Sequence, residues 1–149
     1  MTLKERITSD TRDAMRARAA AKLSTLRLLQ AAIKQREVDE RRELADGDVV
    51  AVIERMLKQR RDSIEQFTAG RRLDLADAER AEVVILEAYL PQQMSPEEID
   101  AAIDAAIGAA GSVTGPAAMG KLMAALKPAL AGRADMAAVA ARLKARLAV

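Results

Sequence analysis

Residues 115–121 have the Gly-x4-Gly-Lys spacing of a phosphate-binding loop, in which backbone N–H groups and a lysine surround phosphate oxygens. Leu122, however, stands where a serine or threonine must reach Mg²⁺, and Pro116 lacks a backbone N–H that such a loop would use. No strand is predicted before the segment. The sequence therefore argues against nucleotide hydrolysis. It predicts a packing role instead, in which Gly120 lets another helix approach closely.

The chain contains no histidine and no cysteine. Thiol chemistry and disulfides are excluded, and the usual general base and commonest metal ligand is missing. Adjacent acids such as Glu97 and Glu98 face different ways on a helix and are predicted to be solvated. Acid–base work by carboxylates, or by a serine–lysine pair, stays open without a supporting pattern. We assign no catalytic residue, no metal site and no cofactor.

Charge is distributed in blocks along a chain whose net charge is only +2. Residues 12–36 contain seven basic side chains and one acidic, whereas residues 74–87 contain five acidic and one basic. Residues 95–110 contain four acidic side chains and none basic, and residues 111–149 contain six basic and one acidic. A basic C-terminal segment suits phosphate groups. A solvated helical face explains it equally well.

The elements that carry these residues are predicted to be helices. Alanine, leucine, arginine and glutamate dominate, and no segment alternates at period two, so the sequence predicts an all-α fold. Thr2 and Glu5 form a capping box at the start of the first helix. On spacing alone, that helix extends from Leu3 to Glu43.

Residues 46–48, Asp-Gly-Asp, are a predicted break, and either aspartate can cap the third helix, which ends near Gly70. Asp74 is predicted to cap the next helix. Its inward stripe consists of Leu75, Ala78, Ile85, Leu86 and Tyr89.

Pro91 divides the chain, because it cannot continue the preceding helix. Ser95 and Glu98 then form a second capping box. Two more helices are predicted to begin at residues 114–116 and at Asp135. We therefore expect an N-terminal antiparallel helical domain, residues 1–90, and a three-helix C-terminal domain, residues 91–149. No apolar run is long enough to span a membrane, and the N-terminus lacks a signal core, so we expect a cytosolic protein.

Arg60 and Glu82 both lie inside apolar stripes of consecutive helices. An unpaired buried charge is costly, and pairing is the natural solution. We predict that the two side chains form an ion pair that fixes the register of the helices.

Four segments together resemble the YqeY (GatB/YqeY-type) family, in order along nearly the whole chain. They are residues 58–65 (KQRRDSIE), 86–91 (LEAYLP), 119–123 (MGKLM) and 132–135 (GRAD). The resemblance implies a C-terminal domain similar to the tail domain of GatB, a component of the glutamine-dependent tRNA amidotransferase, where this domain helps to hold tRNA. It also implies a helix break near residues 19–22. Family labels mention carbon–nitrogen ligation with glutamine as amide donor, but fold similarity does not transfer a catalytic site.

The leading hypothesis is a small module that binds structured RNA, with tRNA as the expected partner. Lys121, Lys127 and Arg133 are the candidate phosphate contacts, because they lie in or between motifs that the resemblance covers. A second hypothesis is an adaptor that docks an amidotransferase or an aminoacyl-tRNA synthetase. A third is an amide-transfer enzyme, against which the missing histidine, cysteine and nucleotide site argue. Oligomeric state is not predicted.

Overall fold

The computed structural model describes residues 1–111 and 116–147, and these residues form seven α-helices and no strand. The predicted all-α fold is thereby confirmed. None of the described helices is both long enough and apolar enough to cross a bilayer. The helices are α1 (Leu3–Arg16), α2 (Ala20–Glu40), α3 (Asp46–Ala69), α4 (Leu73–Glu87), α5 (Pro96–Ala110), α6 (Pro116–Leu130) and α7 (Met136–Leu147).

The backbone separates into two compact units, residues 1–90 with α1–α4 and residues 91–149 with α5–α7. Each unit has its own apolar core. The first is built from aliphatic side chains of α1–α4, and the second from side chains such as Ile103, Leu122 and Leu143, which are almost fully buried. That the two units fold as independent domains stays a prediction.

The first helix ends far earlier than spacing alone predicts. α1 stops at Arg16, and Arg18 adopts a left-handed conformation with φ of 55° before α2 begins at Ala20. A break is therefore present at residues 17–19, at the N-terminal edge of the position that the family resemblance implied, and the single helix to Glu43 is wrong. An alanine-rich segment tolerates a helix without requiring one. Folding α2 back against α1 stabilises the protein more than one continuous helix would, because it buries Ile7 of α1 together with α2 side chains in one core.

The prediction of a break at residues 46–48 is also wrong, because these residues form the first turn of α3. The cap position is Ala45, which has no side-chain acceptor. Asp48 compensates by accepting a hydrogen bond from the Ala45 N–H at 3.0 Å. Asp46 accepts one from the Leu3 N–H at 2.9 Å. The acidic first turn of α3 thus supplies acceptors to its own start and to the start of α1.

α4 begins at Leu73, so Asp74 lies inside the first turn and is not the cap that we expected. Its carboxylate pairs with the Arg72 guanidinium at 3.1 Å. The inward stripe is shifted as well, because Ala76 is fully buried whereas Ala78 is exposed. An alanine carries too little apolar surface to identify which face of a helix is buried.

Tyr89 connects the end of α4 to the middle of α1. Its hydroxyl donates a hydrogen bond to Asp10 Oδ2 at 2.6 Å, and the Arg6 guanidinium lies over its ring at 4.8 Å from the centroid. Arg6 also donates to the Ala88 carbonyl at 3.2 Å. Burial, and then the hydrogen bond to Asp10 and its negative charge, raise the pKa of the Tyr89 phenol above its ordinary value.

In the second unit, Ser95 caps α5 by accepting from the Glu98 N–H at 3.1 Å. The preceding segment is held to the α6–α7 turn, because the Met94 N–H donates to the Arg133 carbonyl and the Gln93 amide to the Gly132 carbonyl, both at 2.8 Å. α6 continues through Pro128 to Leu130. The expected opening of α6 at Thr114 and Gly115 lies outside the described residues.

Asp135 caps the last helix as expected. Its Oδ1 accepts from the Ala137 N–H at 3.2 Å, which satisfies one of the free donors at the start of α7. Val139 and Leu143 are fully buried in the core of the second unit. The positions that begin and orient α7 therefore follow directly from the sequence.

The raised pKa of Tyr89 yields a test, because this is the only tyrosine of the chain. We expect its phenolate absorbance to appear only well above the ordinary pKa of about 10 in the folded protein. The stability linked to this group is complete below that pH and is lost as pH rises toward the folded pKa. Asp10→Asn should lower the Tyr89 pKa part of the way, since burial is the larger cause. Asp13→Asn, an exposed acid on the same helix, is the control and should leave it unchanged.

Candidate nucleic-acid interface

Two arginines of α7 face carboxylates of α5. Arg142 Nη1 donates to both carboxylate oxygens of Asp100, at 2.9 and 3.0 Å, and Arg146 Nη2 donates to Asp104 at 2.9 Å. Each set is spaced by four residues, so both arginines lie on one side of α7 and both aspartates on one side of α5. The acidic block of residues 95–110 therefore neutralises part of the basic block that follows it.

Arg133 lies in the turn between α6 and α7. Its Nε donates to the Gln92 carbonyl at 3.2 Å, and its Nη2 lies 3.9 Å from Glu98 Oε2. Its side chain is 40% exposed. The guanidinium thus helps to hold the segment before α5, and it keeps donors that face solvent.

Lys121 and Lys127 are exposed on α6, and the described residues offer neither of them an ion pair. At about 100° per residue, the two lysines lie about 120° apart around the helix. They flank opposite sides of the buried stripe formed by Ala118, Leu122, Leu126 and Leu130. The two lysines are therefore separated around the solvent-facing side of α6, and Arg133 lies beyond the C-terminal end of that helix.

Sequence reasoning missed Lys144, which is exposed on α7 and is likewise without a carboxylate partner among the described residues. It also missed the Asp100–Arg142 and Asp104–Arg146 pairs. The matching four-residue spacings on α5 and α7 were a visible signal. They do not reveal the relative register of the two helices, which decides the pairing.

The segment with phosphate-loop spacing is helical where it is described. Gly120 and Lys121 lie inside α6, and the residues just before Pro116 are outside the described part of the chain. The expected packing role of Gly120 is wrong. Gly120 is exposed, and a Cβ added there would meet nothing within 4 Å. Gly120 and Lys121 lie past the first turn of α6, so their backbone N–H groups are not free to surround a phosphate.

Arg60 and Glu82 are brought together by α3 and α4. Arg60 Nε donates to Glu82 Oε2 at 3.1 Å, and the side chains are only 15% and 28% exposed. Their neighbours Arg61 and Glu87 approach to 3.9 Å on the same pair of helices. We therefore predict that this half-buried pair sets the register of the two helices, because any slip would leave both charges partly desolvated and unpaired.

An open groove of about 1010 Å³ lies between the start of α1 and the α2–α3 connection. Most of its polar side chains are already engaged in the fold, whereas Arg12, which also lines the groove, has no hydrogen bond or ion pair among the described residues. The Thr8 hydroxyl donates to the Lys4 carbonyl, and Lys4 pairs with Glu37 at 2.6 Å. That pairing lowers the pKa of the Glu37 carboxyl and raises the pKa of the Lys4 amine. No cluster of three metal-binding side chains occurs in residues 1–111 and 116–147.

The helical architecture and the partly neutralised basic surface define an all-α protein of two small helical units. The chain matches the model of the Yqey-like protein family over residues 4–147. It therefore belongs to the YqeY-like family, as the motif resemblance indicated.

Curated fungal relatives support this assignment. The chain is 32% identical over 83 residues to an uncharacterised protein of Schizosaccharomyces pombe, a match that covers 56% of this chain and 68% of that protein. It is 34% identical over 97 residues to altered inheritance of mitochondria protein 41, mitochondrial, of Lachancea thermotolerans, covering 63% of this chain and 52% of the relative. The relative of the same name in Kluyveromyces lactis is 35% identical over 98 residues, with the same shares covered.

The matches span about half the length of the relatives that carry the mitochondrial name. That name contradicts the cytosolic compartment expected from the sequence. The expectation depended on finding no signal core and no membrane segment, and neither feature distinguishes one aqueous compartment from another. The cytosolic prediction is withdrawn.

The Arg60–Glu82 pair yields a double-mutant test. We expect Arg60→Met and Glu82→Gln each to destabilise the protein, and the double variant to lose less than the sum. A coupling of about 1–2 kcal/mol is expected in urea unfolding followed by circular dichroism. The exposed pair Arg80–Asp77, substituted in the same way, is the matched control and should couple by less than about 0.5 kcal/mol. Equal coupling in the two pairs would show that Arg60 and Glu82 do not set the register.

Proposed function

We propose that this protein is a binding module for structured RNA, with tRNA as the first partner to test, and that it performs no covalent step. The observation that carries the proposal is the set of exposed lysines in the second unit. Lys121, Lys127 and Lys144 lack a carboxylate partner among the described residues, whereas the arginines around them are engaged. The resemblance of the C-terminal motifs to an amidotransferase tail that helps to hold tRNA supports the choice of partner.

These lysines suit contact with the phosphate backbone more than base recognition. An ammonium group is a compact, strongly hydrated point charge, and it meets a phosphate without requiring one fixed orientation. Because Lys121 and Lys127 are separated around α6 and Lys144 lies on α7, they would contact separate parts of a folded RNA rather than a single short strand. With one phenylalanine and one tyrosine, the chain offers no stacking platform for bases. Shape and phosphate position would select the partner.

Arg133 would make a further contact beside the lysines of the second unit. Its Nε is committed to the Gln92 carbonyl, but the remaining N–H groups of a 40% exposed guanidinium stay available. A phosphate there would compete with Glu98, which lies 3.9 Å away. We therefore assign Arg133 a smaller share of the affinity than the lysines.

The test is a titration of labelled tRNA with the full chain, read by fluorescence anisotropy. We expect Lys121→Ala with Lys127→Ala to weaken binding about tenfold and to reduce the salt slope by about 1.5, since two phosphate contacts are lost. Lys34→Ala with Lys58→Ala removes the same charge from exposed positions of the first unit and is the control. Arg133→Ala should weaken binding by less than the lysine pair.

Two outcomes would reject the proposal. One is an equal effect of the two lysine pairs, which would mean that only net charge matters. The other is affinity that does not fall between about 50 and 200 mM salt. If the chain fails to bind RNA but retains a protein partner after nuclease treatment, the adaptor hypothesis replaces this one.

A further inference from the structure

A second group of cations lies at the turn between α1 and α2. Four basic side chains occur within eleven positions there, with Asp13 as the single acid among them. We call this group the hairpin tip, and it consists of Arg12 and Arg16 of α1, Arg18 of the turn, and Lys22 in the first turn of α2. All four side chains are exposed.

The cations of the hairpin tip take almost no part in holding the fold. Among the described residues, no hydrogen bond or ion pair engages the side chains of Arg12, Arg18 or Lys22. Arg16 has a single contact, to Asp13 at 3.8 Å, between side chains that are 80% and 68% exposed. A pair that exposed contributes little and does not hold the guanidinium away from another anion.

The opposite end of the same two helices provides the contrast. There Lys4 pairs with Glu37 at 2.6 Å, and Arg42 pairs with both carboxylate oxygens of Asp48, at 2.8 and 3.0 Å. Arg36 is paired with Glu40. Three cations at this end of the α1–α2 hairpin thus pair with carboxylates of the protein itself, whereas the cations of the tip are presented to solvent. Unpaired cations held close together repel one another, and an external anion relieves that repulsion.

The positions of these cations favour an extended anion over a small one. Arg12 and Arg16 are four residues apart, so they lie in one row about 6 Å apart along α1. Arg18 follows in the turn and Lys22 in the first turn of α2, so the four cations lie within eleven consecutive positions. No concave pocket is needed for a backbone of successive phosphates, whereas a small phosphate compound requires convergent donors.

Composition favours nucleic acid over a lipid surface. Three of the four cations are arginines, whose planar donors match phosphate oxygens in pairs. A membrane-bound helix needs a broad apolar face, but Met15 is the one large apolar side chain exposed in this segment. Met15 alone cannot anchor the hairpin in a bilayer.

We propose that the hairpin tip is a second phosphate-backbone contact for structured RNA, separate from the lysines of the second unit. This inference extends the proposed function, since it rests on RNA as the partner. The two proposals assign RNA binding to different residues. Substitutions in the hairpin tip and substitutions of the second-unit lysines therefore test them separately.

The test compares two triple variants of the full chain that lose the same charge. The first is Arg12→Gln, Arg18→Gln and Lys22→Gln. The control is Arg55→Gln, Lys58→Gln and Arg71→Gln, which also removes two arginines and one lysine from exposed positions. The two variants are also matched in backbone conformation, because Arg18 and Arg71 both adopt positive φ, 55° and 57°. Circular dichroism and urea unfolding establish that both variants are folded.

We expect the tip variant to bind labelled tRNA at least about tenfold more weakly than the control variant, with a salt slope smaller by about 2. Equal binding by the two variants would overturn the inference, whatever the Lys121 and Lys127 pair does. If the tip variant loses binding and the Lys121 and Lys127 substitutions have no effect, the inference is supported and the two lysines are rejected as RNA contacts. Failure of the wild-type chain to bind tRNA would overturn both.

Anionic phosphatidylserine vesicles form the second arm of the experiment. We expect the wild-type chain and the tip variant to sediment with vesicles equally poorly. If the tip substitutions abolish vesicle binding and leave tRNA binding at the level of the control, the surface binds lipid, and the RNA inference is overturned.

Discussion

Pairing between guanidinium groups and carboxylates on neighbouring helices constrains both the fold and the surface of this protein. The chain has 24 basic and 22 acidic side chains but only two aromatic residues, so large interlocking rings cannot specify how its helices align. Aliphatic stripes tolerate sliding along one another. Charge pairs do not tolerate such sliding, because a shift of one helix by one turn separates the paired charges. Arg60–Glu82 links α3 to α4, and Arg142–Asp100 and Arg146–Asp104 link α5 to α7.

The same pairing decides which cations remain for a ligand. A carboxylate that fixes helix register also withdraws an arginine from the surface available to phosphate. In the second unit this leaves lysines, and in the first unit it leaves the hairpin tip together with scattered exposed cations such as Arg55 and Lys58. Charge blocks in the sequence therefore overstate the positive surface of residues 111–149. They describe the α1–α2 turn more faithfully, because few acids lie within that stretch of chain.

The parts of the fold that sequence predicted correctly are those governed by local chemistry. The capping boxes at Thr2 and Ser95 and the cap at Asp135 involve residues within three positions, and each is present. The errors arose where a distant contact outweighed a local preference. The end of α1 depends on packing against α2. Asp46, one of the two expected caps of α3, instead accepts a hydrogen bond from the Leu3 N–H, which is 43 positions away. Periodicity carries no information on such contacts.

The motifs that identify the family have structural roles. Membership of the family therefore does not by itself identify the function. Tyr89 of the LEAYLP segment fastens α4 to α1, and Gly132 of the GRAD segment forms a left-handed turn with φ of 76° whose carbonyl accepts from Gln93. Asp135 caps α7. Residues that build a fold in this way recur wherever the fold recurs, whatever the partner. A binding site must instead be sought among side chains that the fold leaves unused. Lys121, Lys127, Lys144 and the cations of the hairpin tip meet that criterion, and only Lys121 of these lies within an identifying motif.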